Sequence, residues 1–152
     1  MLRIVYCAGP YRHYLADGSY NRPAMEDELA DERSWCEIIA RAGHVPFGPL
    51  GNSVPIERAL SEEDWIERDL EIIRRLRSDH DVFIVRPGAF GTADSSEGVA
   101  RELCEARSVG LIVIHSSVMG VDAVKRGVLR LALDGELCES DEMAWGEPGG
   151  VA

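Results

Sequence analysis

Leu2-Arg3-Ile4-Val5-Tyr6-Cys7-Ala8 runs directly into Gly9-Pro10. A segment this short and apolar, stopped by Gly-Pro, reads as a buried strand. The chain beyond repeats that pattern with helices in between. Residues 24–42 have helical spacing, with Met25, Leu29, Trp35, Ile38 and Ile39 on one side and Gly43 as the stop. Residues 44–47 form a second short strand that leads into a Gly/Pro/Asn-rich stretch, 48–55. Ser61, followed by Glu63 and Asp64, marks a helix start, and that helix is expected to run to about Ser78. Residues 82–85 are a third strand ended by Pro87-Gly88, and 89–96 are a small, polar loop. A helix over 97–109, a strand over 111–114 and a helix over 121–133 complete the series. Strands alternating with helices imply an α/β fold: a Rossmann-like (flavodoxin-like), doubly wound parallel sheet of about four to five strands with helices on both faces. Ligands of such sheets sit beyond the carboxyl ends of the strands, which sets residues 9–12 and 89–96 on one rim.

The chain has 152 residues, 45% apolar and 28% charged, a globular composition of single-domain size. The expected division is an α/β domain over 1–134 and an acidic tail over 135–152. From Asp134 onward there are acids but no base, and Met143 and Trp145 are large apolar residues there suited to docking on a neighbour. With 16 basic and 27 acidic residues the net charge is −11, which disfavours a nucleic acid polymer as partner. The four cysteines form no CxxC and the four histidines no HExxH, so no metal site is expected. No apolar stretch approaches membrane-spanning length and no secretion signal is seen, so the expectation is a cytoplasmic protein without a membrane partner.

Two acids fall where a helix should be apolar. On the helix from Ser61, Asp69 lies between the positions of Trp65, Ile66, Leu70, Ile72, Ile73 and Leu76, whereas Glu67, Arg68, Glu71, Arg74 and Arg75 mark the solvent face. On the next helix Glu102 lies within the arc of Val99, Leu103, Ala106 and Val109, with Arg101 and Glu105 facing away. A carboxyl in such a place must be paired, hydrogen-bonded or protonated. Two on consecutive elements point to paired carboxylate chemistry, against the plainer reading of edge acids held by neighbouring arginines or a helix dipole. Partial burial is expected to raise the pKa of Asp69, and the helix N-terminus to keep Glu102 ionised. At the same rim Gly9 and Arg12 follow the first strand, and Ser96 with Gly98 opens a helix whose free N–H groups suit an anion. Neither GxxxxGK[ST] nor GxGxxG is present, which disfavours P-loop and dinucleotide-binding enzymes.

Tyr6-x-x-Gly9-x-x-Arg12, Asp69-Leu70 and Ser96-x-Gly98-x-x-x-Glu102 together resemble the nucleoside 2-deoxyribosyltransferase superfamily, most of all its nucleoside 5′-monophosphate N-glycosidase branch, over residues 3–115. The resemblance implies hydrolysis of the N-glycosidic bond of a nucleoside 5′-monophosphate. Glu102 would be the nucleophile at C1′, Asp69 the assisting acid and Tyr6 the residue that orients the nucleophile. Gly9, Arg12, Ser96 and Gly98 would hold the substrate and its phosphate, with Asp94 a further acid in the loop. It implies no metal or organic cofactor, and a homodimer or higher homo-oligomer. The family's Trp after Pro-Gly is replaced here by Ala89-Phe90, and the loop to Ser96 is longer. Three other readings stay open: deoxyribosyl transfer between bases, a non-catalytic nucleotide-binding module, and an NAD glycohydrolase.

Overall fold

The computed structural model describes residues 2–115. The expected helix at 121–133, the acidic tail, Met143 and Trp145 lie outside the described residues. Within them the strands are β1 (Ile4–Ala8), β2 (Val45–Phe47), β3 (Val82–Val85) and β4 (Ile112–His115), and the helices are α1 (Arg22–Arg41), α2 (Pro49–Ser53), α3 (Glu62–Arg74) and α4 (Glu97–Ser108). All three strand pairings are parallel and the order is β2-β1-β3-β4. This is the doubly wound, Rossmann-like α/β sheet that the alternation of elements implies, with its switch point between β1 and β3.

Pleat alternation sorts the strand side chains onto two faces. Val5, Cys7, Val82 and Ile84 pack with Trp35 and Ile39 of α1 on one side. Tyr6, Ala8, Phe83 and Val85 pack with Leu70 and Ile73 of α3 and Val99 and Ala106 of α4 on the other. Both faces are covered, so the strands are near-continuous apolar runs.

The helix ends follow local chemistry. Asn21 accepts from the Ala24 N–H at α1, Ser61 from Asp64 at α3 and Ser96 from Val99 at α4. Gly43, at φ +86°, takes the left-handed turn that stops α1. The third helix ends at Arg74, short of the expected Ser78, because 75–81 turn back on Asp81. The carboxylate of Asp81 is 1% exposed and accepts from the N–H groups of Ile4 (3.0 Å) and Arg77 (2.8 Å), and Arg3 donates to the His80 carbonyl at 2.6 Å. This clasp ties β1 to β3 at the amino edge of the sheet. The Gly/Pro/Asn-rich stretch at 48–55 contains α2 and the start of a 3-10 turn, Val54–Ala59.

Candidate functional site

Strand parity aims Tyr6 at the α3/α4 side, and register sets Phe47 and Phe83 beside it on the neighbouring strands. The three rings stack across the sheet, with 5.3 Å between centroids on each side of Tyr6. Each such contact contributes about 0.5–1.5 kcal/mol beyond area burial, so the phenol is held firmly. Its hydroxyl donates to Glu102 Oε1 at 2.8 Å. Glu102 is 7% exposed, on the buried stripe of α4 between Val99 and Ala106. Burial, then the charge of Asp69, pushes its pKa up to about 8, and the Tyr6 hydrogen bond works in the opposite sense. Asp69, half-buried on α3, is raised to about 7 by burial and then by Glu32.

Burial therefore raises both carboxyls. This corrects the expectation that the helix N-terminus keeps Glu102 ionised: Glu102 lies a turn inside α4, against the aromatic ladder, and desolvation outweighs the dipole there. The charge of Asp69 opposes ionisation of Glu102, so the two protons belong to the pair rather than to either residue. Both carboxyls therefore titrate near neutrality, in coupled steps.

Both acids line an open cavity of about 860 Å³ at the carboxyl edge of the sheet. Gly9 and Arg12 from the loop after β1, Leu50 from α2, and Ser96 and Gly98 from the head of α4 share the lining. Arg12 is not free: its Nε is 2.9 Å from Glu62 Oε1, and its guanidinium lies 5.2 Å from the centroid of Tyr20. Ser96 is occupied as the cap of α4. Asp94 is exposed, with Oδ1 3.5 Å from His115 Nε2, and is not among the lining residues; the turn Ala93–Ser95 buries Ala93 and rotates Asp94 outward. Arg101, expected to face away, lines the cavity and makes a two-pronged pair with Glu63, 2.8 Å at each prong. Its long side chain reaches back along α4 to the first turn of α3.

A second set of charges supports the rim from behind. Arg86, fully buried, donates to Glu28 Oε2 (3.1 Å), Asp31 Oδ2 (2.9 Å) and the Pro10 carbonyl (3.1 Å). Glu28 also accepts from the Ala89 N–H and lies 2.8 Å from His13 Nε2. Glu32, one turn on, accepts from the Leu50 and Gly51 N–H groups and so holds the start of α2. These groups escaped the sequence reading. The signal was there, because Met25, Glu28, Glu32, Trp35 and Ile39 recur at helical spacing, as the residues around Asp69 and Glu102 do. Parity also continues past Val85 and aims Arg86 at α1.

A scan against models of known protein families finds no match to this chain, and a search of curated proteins finds none either. The functional reading therefore rests on the residues themselves. Among the described residues no group of three or more His, Cys, Asp or Glu could hold a metal ion, and no helix is long and apolar enough to cross a membrane. The chemistry on offer is that of two carboxyls poised near neutrality, one oriented by a phenol, above a cavity of small-molecule size.

Proposed function

We propose that the chain hydrolyses the N-glycosidic bond of a nucleoside 5′-monophosphate and releases the base. What carries this reading is Glu102, hydrogen-bonded by Tyr6 and sharing one cavity with Asp69. Loss of the base from C1′ passes through an oxocarbenium-like state, and the developing positive charge draws the pair toward its doubly ionised form. Ionised Glu102 attacks C1′ as the C1′–N bond breaks, and the proton held near neutrality goes by way of Asp69 to the departing base. Water then attacks C1′ of the glycosyl ester and gives its proton to Asp69, while the C1′–O bond to Glu102 breaks, releasing the sugar phosphate and restoring the carboxyl pair. The phenol of Tyr6 holds Oε1 so that Oε2 is the attacking oxygen. The N–H groups at the head of α4, with Arg12, supply the phosphate contacts. As the family resemblance implies, the enzyme is a homo-oligomer that needs no cofactor.

The cavity charges favour a second reading, in which the substrate is an unphosphorylated nucleoside and the sugar passes to another base. Arg12 and Arg101 are both committed to glutamates of the first turn of α3, which leaves no idle cation among the lining arginines. A base-release screen over ribo- and deoxyribonucleosides, with and without their 5′-phosphates, separates the two. Faster release from monophosphates supports hydrolysis of nucleotides, and a new nucleoside formed on adding a free base supports transfer. Glu102→Ala is expected to abolish turnover with an unchanged circular dichroism spectrum; near-normal turnover in that variant rejects both readings.

A further inference from the structure

On the opposite face of the sheet from the acid pair, Cys7 of β1 and Cys36 of α1 lie with their sulfurs within hydrogen-bonding reach. Cys7 is fully buried among Val5, Trp35 and Ile84, and Cys36 packs on the rim of the same cluster, partly exposed. A Cβ built on Gly48 would stand 3.1 Å from Cys36 Sγ, so the sulfur lies against bare backbone where the chain leaves β2. We propose that Cys7 and Cys36 are a hydroperoxide-oxidised dithiol that closes to an intramolecular disulfide between β1 and α1.

The two thiols are unequal in a way that fits sequential oxidation. A side-chain hydrogen bond joins the two thiols and draws Cys36 below the usual thiol range, against the opposing effect of burial. The same bond and complete burial hold the proton on Cys7. Cys36, partly exposed, is the nucleophile within reach of solvent, and the fully buried Cys7 is the resolving group behind it. The thiolate of Cys36 attacks the peroxide O–O bond, becomes the sulfenic acid and releases the alkoxide, which takes up a proton to leave as the alcohol (water from hydrogen peroxide). The sulfur of Cys7 then attacks that sulfenic sulfur. The S–S bond forms, the S–O bond breaks, and the proton of Cys7 leaves with the hydroxide as water. Two electrons pass from the thiols to the peroxide.

Closure shortens a hydrogen-bonded contact to a covalent bond of about 2.05 Å and draws α1 onto β1. Two neighbours of the site feel it. Cys7 follows Tyr6, and Glu32, one turn before Cys36, fixes the N–H groups of Leu50, which lines the cavity, and of Gly51 beside it. The proposal stands independently of which ligand the cavity takes.

The test uses the full chain carrying Cys104→Ser and Cys138→Ser. After hydrogen peroxide, the protein is denatured, alkylated with N-ethylmaleimide and weighed intact. The expected product is a monomer lighter by two hydrogen atoms that takes no maleimide until a dithiol reductant is added, with peptide mapping joining Cys7 to Cys36. In the same background Cys7→Ala is expected to leave Cys36 as a sulfenic acid trapped by dimedone, and Cys36→Ser to leave Cys7 reduced. Continued alkylation of both thiols after peroxide, a sulfinic Cys36 beside a free Cys7, or Cys36-bridged dimers would each overturn the proposal.

Discussion

Replacing Glu102 by Gln should make the protein more stable in alkaline solution and leave it nearly unchanged in acid. The pKa of Glu102 rises from 4.5 to about 8 on folding, chiefly through burial. Between those values the folded chain keeps a proton that the unfolded chain has released, so stability falls as pH rises through the window. The loss is absent below the lower value and complete above the upper one. A shift of this size corresponds to at most about 5 kcal/mol, a large share of the roughly 5–15 kcal/mol that holds an ordinary domain together. The ionised Asp69 contributes part of it, so the measured value belongs to the pair. Gln keeps an oxygen that can accept from the Tyr6 hydroxyl but has no proton to lose. Urea unfolding followed by tryptophan fluorescence, to which buried Trp35 contributes, at about pH 5 and about pH 8.5, reads the difference between the two proteins. The variant should gain several kcal/mol on the parent between those conditions. An equal gap at both would refute the assignment of a displaced titration to Glu102.

Tyr6→Phe removes the one hydrogen bond that favours the ionised form of Glu102; the alkaline limb of the same stability profile should move to higher pH, and an unmoved limb counts against the contact. Arg86→Met strands the buried Glu28 without its cation, at a cost of about 3–5 kcal/mol in urea unfolding. Adding Glu28→Gln should recover part of that loss, and full additivity of the two substitutions would show that the pair is not coupled. Gly88→Ala combines a φ of +83° with a Cβ 2.4 Å from Pro10 Cγ; it should lower the urea midpoint by an amount equivalent to about 1–3 kcal/mol. In catalysis, Asp69→Asn should reduce base release by about 10²–10⁴-fold, measured as turnover at saturating substrate, and retained turnover would exclude Asp69 as the proton donor.

The sheet was legible because buried parallel strands read as short apolar runs, and residues 82–85 coincide with β3. Asp69 and Glu102 were legible by the same logic, as breaks in an otherwise apolar arc. What escaped was non-local. The start of α2 is held by Glu32 from a different helix, so its Pro/Gly/Asn composition gives no local sign of helix. Arg101 was misplaced because angular position on a helix fixes Cα–Cβ directions, whereas a guanidinium reaches several ångströms further, to Glu63. The ionisation of Glu102 depends on how deeply α4 settles against the Tyr6 ladder, a tertiary quantity that spacing does not carry.

The Asp81 clasp and the cavity lie at opposite ends of the same strands, and that separation has a consequence for how the molecule can change. At the amino edge, strand register is held by carboxylate and backbone ties that no cavity-lining residue shares. Exposed segments beyond the carboxyl edge, 90–91 above all, can therefore be exchanged or lengthened to admit a different guest while the anchored end continues to direct assembly. One end preserves the architecture, and the other is where new specificities can be drafted.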